Sequence, residues 1–394
     1  MARLAGETLV REPPAHSLNT CVIVPACNEE ELLPVALHSL AEQKLLNGTR
    51  FPHEAYETIL LINNTTDHSR EAALRVRGMY PSFQLHIVER WLNRSQAHIG
   101  YVRRLLMDEA CQRLETVGAE NALILSTDGD TRVAPNWIAH NREEIRCGAE
   151  AVAGRIGVSA SEQGMLDAKT REFQRCDDLY RRLISWLEWR LDPEEHDPWP
   201  RHHQHFGASL AITPSAYKRA GKLPPRRYFE DIALYRQLMR NDVKLRHSNR
   251  VRVYTSARIT GRAGAGLSRS LAAWQRSSEP PRRLLVESKP FLEFLFEMRR
   301  DLRRAWQQRQ YSKCDFHKLS AAAHILNSSL EQEMRTAPSF GALLDNVRFY
   351  DACRRSWPSG RRLAPLGRVI EELYADFKRA REPLRTAIPH RSSS

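Results

Sequence analysis

The alternation of strand-like and helix-like segments over the first 160 residues constrains this chain more than any other feature. Cys21-Val22-Ile23-Val24, Thr58-Ile59-Leu60-Leu61-Ile62, Leu85-His86-Ile87-Val88 and residues 122–126 read as short apolar strands. Between them, Glu29 to Gln43 carries Leu32, Leu33, Val35, Ala36 and Leu40 at helical spacing. A second helix is expected from Arg70, and a third over residues 98–115. Strands joined through helices need crossover connections, so the expected class is α/β with a mostly parallel sheet flanked by helices. In such sheets ligands bind beyond the carboxyl ends of the strands, which lines up Pro25 to Glu29, Asn63 to Asp67 and Asp128 to Thr131 along one rim.

Asp128-Gly129-Asp130 follows the apolar run Ala122-Leu123-Ile124-Leu125. A buried strand ending in two carboxylates presents hard oxygen donors at its tip. That pair suits Mg²⁺ or Mn²⁺, which take their remaining ligands from water and a diphosphate. The intervening glycine is expected to allow a sharp backbone turn.

Further along, residues 150–158 are expected to form another strand and 165–191 a long helix. Leu191 to His205 reads as a loop, Phe206 to Ile212 as a short strand, and Tyr228 to Arg240 as a helix. From about residue 270 the pattern is helical and arginine-rich, without strand alternation. The expected parts are therefore residues 1–262, a catalytic α/β domain, and 263–394, a helical C-terminal region.

Composition limits the partners. The chain has 394 residues and a net charge of +13, with 42% hydrophobic and 27% charged residues, as in a globular protein with a full core. Its longest uncharged apolar stretches fall short of the roughly 18 residues that a membrane span needs. Residues 1–20 lack the apolar core of a signal peptide. Seven cysteines without paired spacing argue for a reducing, cytoplasmic setting. Nucleic acid, anionic headgroups and a nucleoside diphosphate would all be drawn to so basic a surface.

The motifs Val24-Pro25-Ala26-Cys27-Asn28-Glu29-Glu30, Asn63-Asn64-Thr65-Thr66-Asp67, Asp128-Gly129-Asp130-Thr131 and Glu230-Asp231, in that order, resemble a family 2 glycosyltransferase of the GT-A fold over roughly residues 20–262. The resemblance implies an inverting, metal-dependent transfer of a sugar, of the hexosyl type, from a nucleotide diphosphate sugar to a hydroxyl acceptor. It places Pro25, Asn28 and Glu29 against base and ribose, and Asn63 or Asn64 at the base, where the family more often has an acid. Arg103, in Gly100-Tyr101-Val102-Arg103-Arg104, falls on the helix that resembles the family's basic nucleotide-contacting helix. Asp130 would ligate the metal, Asp128 would meet the ribose or the metal shell, and Asp231 would be the base with Glu230 beside it. Arg258 and Arg262 would reach the diphosphate from a lid.

Bland readings compete at several of these places. Asn28 could cap the first helix, Asp67 the second, and Glu230-Asp231 could simply favour a helix N-terminus. His196, His202, His203 and His205 lack cysteine partners, so an acceptor-binding loop or an exposed cluster accounts for them better than zinc. Two other functions compete with this reading. A nucleotidyltransferase would want a glycine-rich basic loop where Pro25-Ala26-Cys27-Asn28-Glu29 stands. A nucleic-acid-binding protein would use the basic C-terminal half, but Trp186 and Trp189 read as core rather than stacking residues. The apolar stretch Phe291 to Phe296 needs cover, expected from the catalytic domain, a second subunit in a homodimer, or peripheral membrane contact.

Overall fold

Thr20-Cys-Val-Ile-Val-Pro-Ala26 forms strand β1, every residue of it buried, which is why the run is apolar without alternation. It belongs to a computed structural model that describes residues 8–257, 267–308 and 327–386. β1 pairs in parallel with β2 (Tyr56–Asn63) and with β4 (Leu123–Ser126), and β2 with β3 (Leu85–Arg90). The crossovers carry helices α1 (Leu33–Ala41), α2 (Ser69–Met79) and α3 (Ile99–Val117).

Beyond β4 the sheet continues through β5 (Thr131–Val133), β6 (Ala151–Val158), β7 (Leu210–Ile212) and β8 (Leu245–Thr255), giving the order β3-β2-β1-β4-β7-β6-β8-β5. β7 runs antiparallel to β4 and β6, and β5 antiparallel to β8, while β6 and β8 are parallel. The expected class therefore holds, as a mixed, mostly parallel sheet with helices on both faces. Two apolar clusters cover those faces, one around Leu37, Tyr56 and Trp137, the other around Leu106, Leu114 and Tyr217. Helices α4 (Trp137–Arg146), α5 (Ala160–Met165), α7 (Pro214–Arg219) and α8 (Glu230–Arg240) complete this part.

The chain divides into two compact units, Met1–Met165 with Gln204–Arg269, and Leu166–His203 with Ser270–Ser394. The long helix α6 (Ala168–Leu191) thus belongs to the second unit, although the sequence reading gave residues up to 262 to the catalytic domain. Its apolar face explains the assignment. Leu183, Trp186 and Leu187 share a buried cluster with Leu292, Leu295 and Phe296 of helix Lys289–Gln308. The stretch Phe291 to Phe296 is accordingly covered inside its own unit. That unit is also not purely helical, since Leu285–Glu287 and Leu363–Pro365 pair antiparallel.

Candidate active site

Three loops at the carboxyl ends of β1, β2 and β4 come together, and hydrogen bonds fix the first two to each other. Asn28 N–H donates to Thr65 Oγ1 (3.2 Å), and Asn28 Oδ1 accepts from Thr66 N–H (2.7 Å). Glu29 N–H donates to Ser69 Oγ (2.7 Å), and Glu30 N–H to Asp67 Oδ2 (3.0 Å). Asn28 and Asn64 both adopt the left-handed backbone, at φ 52° and 49°, which asparagine tolerates better than most side chains. Helix α1 starts only at Leu33, so Asn28 is not its cap. Asp67 does behave as a cap, accepting from Ser69 N–H and Ser69 Oγ at 3.0 and 2.6 Å.

Asn63, nearly buried, donates to Asn64 Oδ1 at 3.4 Å. Asn64 itself is engaged by Leu92, donating to its carbonyl (2.8 Å) and accepting from its N–H (3.2 Å). Gly129 shows why the third loop belongs with the first. A Cβ there would lie 3.2 Å from Ala26 Cβ, 3.3 Å from the Pro25 carbonyl oxygen and 3.5 Å from Glu29 Cγ. Close approach, not a left-handed turn, is what the glycine permits, because its φ is not among the positive values.

Behind Asp128 lies Arg103. The residue shares a helix face with Leu106 and Met107, both buried, so its guanidinium is carried inward and is only 4% exposed. Arg103 Nη2 donates to Asp128 Oδ1 at 2.5 Å, and Nη1 donates to Glu230 Oε1. The resemblance gave Arg103 to the nucleotide; the structure has it clamping two carboxylates together. Arg104 turns away to Asp108 (2.8 Å) and the Leu223 carbonyl (2.8 Å).

Glu230 and Asp231 open α8 after Phe229, a non-glycine residue at φ 58°. Asp231 Oδ2 accepts from Gly207 N–H (3.1 Å) and Oδ1 from Ile232 N–H (2.8 Å). Gly207 sits in a tight helical turn, Gly207–Ser209, ahead of β7, where the sequence suggested strand from Phe206. A Cβ on Gly207 would lie 2.2 Å from Arg103 Nη1. Gly207→Ala is therefore expected to displace the guanidinium and cost about 1–3 kcal/mol in a urea melt, as overpacking does. An unchanged melt would mean that the clamp yields freely.

Three carboxylates, Asp128, Glu230 and Asp231, thus gather around one guanidinium, and a fourth, Asp130, acts on Asp128. Burial pushes the Asp128 carboxyl up to about 6; Arg103 opposes this, and the charges of Asp130, Glu230 and Asp231 add to it. Burial likewise raises Glu230, with Arg103 opposing and Asp231 adding. Among the described residues no three His, Cys, Asp or Glu side chains group to hold a metal unaided. Asp128 and Asp130 supply hard oxygen donors, Asp130 accepting from Thr131 Oγ1 at 3.3 Å. The pair fits a Mg²⁺ or Mn²⁺ ion that brings other ligands from water and a diphosphate, and the surplus negative charge favours it.

The remaining sequence calls fall elsewhere. Arg258 and Arg262 lie outside the described residues. His196, His202 and His203 belong to the second unit, His202 being buried, while His205 stacks on Tyr235 in the first unit with ring centroids 3.7 Å apart. None of the four is exposed, so they do not form an exposed cluster.

Comparison with known proteins places part of this architecture. The search of solved structures returned a mannosyltransferase from Pyrobaculum calidifontis in complex with GDP-Man and Mn²⁺, at 16% identity and a TM-score of 0.43, covering 97% of this chain and 86% of that one. It also returned S. aureus TarS 1-349 in complex with UDP, at 14% identity and a TM-score of 0.42, covering 96% and 94%. A third is the M. tuberculosis glucosyl-3-phosphoglycerate synthase, at 15% identity and a TM-score of 0.37, covering 66% and 79%. No curated protein sequence matched. A family model did: over residues 21–97, which hold the first two rim loops, the chain matches glycosyl transferase family 2, and there the resemblance read from its motifs holds.

Proposed function

We propose that this protein is an inverting, metal-dependent glycosyltransferase that moves a hexosyl group from a nucleoside diphosphate sugar to a hydroxyl acceptor. The observation that carries the reading is the meeting of the Asp128-Gly129-Asp130 loop with Glu230 and Asp231, far along the sequence, where Arg103 ties Asp128 to Glu230. In the transfer, a bond forms between the acceptor oxygen and the anomeric carbon. The bond from that carbon to the diphosphate oxygen breaks, and the hydroxyl proton passes to a carboxylate.

Asp231 suits that proton better than Glu230. Glu230 is only 5% exposed and bound to Arg103, whereas Asp231 is partly exposed. Each Asp231 oxygen accepts one backbone N–H and keeps a lone pair free for a substrate hydroxyl. Asp130 and Asp128 would hold the cation, which would supply charge stabilisation for the departing diphosphate. Pro25, Glu29 and Asn63 line the rim on which base and ribose would lie, with Asn28 joining its loops. The scattered cysteines, without paired spacing, fit a cytoplasmic protein. No helix among those residues is long and apolar enough to cross a membrane.

A thermal-shift panel of uridine and guanosine diphosphates and their sugars, with and without Mn²⁺, tests the proposal. A ligand at about 100 times its Kd stabilises by about 2.7 kcal/mol, enough for a clear rise in midpoint. Asp130→Ala is expected to abolish the Mn²⁺-dependent part of that rise. Absence of any nucleotide-dependent rise in the parent protein would sink the donor assignment.

A further inference from the structure

We infer that the rim formed by residues 91–95 and 225–229 docks this protein on an anionic lipid surface. The first unit buries Tyr56, Trp137 and Tyr217 completely, yet Trp91 is 69% exposed, Tyr228 47% and Phe229 55%. These three stand beside Arg94, Arg226 and Arg227, all exposed. None of those arginines has an acidic partner among the described residues.

The two loops form one feature. Arg227 Nη2 donates to the Arg94 carbonyl at 3.0 Å. At the helix start just beyond, a Cβ on Gly100 would sit 1.9 Å from the Arg226 carbonyl oxygen, so only glycine lets the backbones meet. Leu92 is bound to Asn64, and Phe229 immediately precedes Glu230. The rim is therefore tied to residues of the candidate site, through Asn64 on one side and Glu230 on the other.

Tryptophan and tyrosine concentrate where headgroups meet acyl chains, and arginine adds attraction to anionic lipid. Either signal alone binds weakly, while the two combined anchor a protein without a membrane span. Aromatic and arginine side chains also suit single-stranded nucleic acid. A polyanion lying along this rim, however, would run beside Asp128 and the three carboxylates that act on it, Asp130, Glu230 and Asp231. A planar surface touches only the protruding loops. Docking does not depend on the glycosyl-transfer reading; if that reading holds, the acceptor hydroxyl is one carried in the bilayer.

The test is co-sedimentation of the full chain with vesicles of phosphatidylcholine alone and of phosphatidylcholine with phosphatidylglycerol, read without turnover. The parent is expected to pellet with the anionic vesicles, not the neutral ones, and to be released by salt. Arg94→Gln/Arg226→Gln/Arg227→Gln should lower partitioning about 100-fold, taking each arginine at its usual worth near a charged bilayer. Trp91→Ser should lower it severalfold and, being a single exposed substitution, serves if the triple variant does not fold. The inference is overturned if the parent stays in the supernatant or if the folded variants pellet like the parent. Binding of single-stranded nucleic acid that weakens in the same variants, with vesicles ignored, overturns it as well.

Discussion

Asp231→Asn is expected to lower transfer by about 10² to 10⁴-fold, the usual contribution of a positioned base, while leaving donor affinity within a few-fold of the parent. The substitution keeps size and shape. It removes the lone pair that takes the acceptor proton. The side chain accepts from both Gly207 N–H and Ile232 N–H, and an amide oxygen can serve only one of them, so one charge-assisted hydrogen bond is lost as well. That loss costs about 1.5–3 kcal/mol, less than the roughly 5–15 kcal/mol that holds a domain folded. With a donor found by thermal shift, single-turnover kinetics separate the chemical step from binding. Turnover near the parent's would remove Asp231 as the base and turn attention to Glu230. A matching loss of donor affinity would instead mean that the carboxylate orders the nucleotide.

Much of this site was legible because its parts sit at strand ends. β1, β2 and β4 are buried on both faces, so their residues form unbroken apolar runs that stand out, and each run stops where the polar rim begins. β8 was not read as a strand. Its sequence, Leu-Arg-His-Ser-Asn-Arg-Val-Arg-Val-Tyr-Thr, looks polar until Val251 and Val253 are set against the exposed Arg250 and Arg252. That alternation is the period-2 signal of a strand with one solvated side. Helix α1 came out shorter than its apolar spacing suggested, because residues 27–30 are bound into the loop after β2. Membership of α6 in the second unit depends on contacts more than 100 residues away, such as the 2.5 Å bond from Arg299 to Asp192 just past its end, and no local pattern encodes them.

Arg103, which the motif resemblance assigned to the nucleotide, bonds Asp128 and Glu230 in the structure, and it supplies the second large effect. Removing the guanidinium as Arg103→Met leaves Glu230 buried and Asp128 partly buried with no counter-charge, and breaking such a pair typically costs about 3–5 kcal/mol. Domains are stable by about 5–15 kcal/mol, so a large share of the total should vanish in a urea melt with chelator present. The pH dependence has a definite sign. Asp128 and Glu230 already sit above their ordinary values, and losing Arg103 removes the largest influence holding them down. The folded variant then binds more protons than the unfolded chain above the ordinary carboxylate range, so its stability falls as pH rises. Its deficit should be larger at about pH 8 than at about pH 5. Adding Glu230→Gln in the same chain should restore part of the loss, because one uncompensated charge is gone. A residue whose task is to hold phosphate from solvent would behave otherwise: Arg103→Met would weaken nucleotide binding, leave the melt unchanged, and gain nothing from the second substitution.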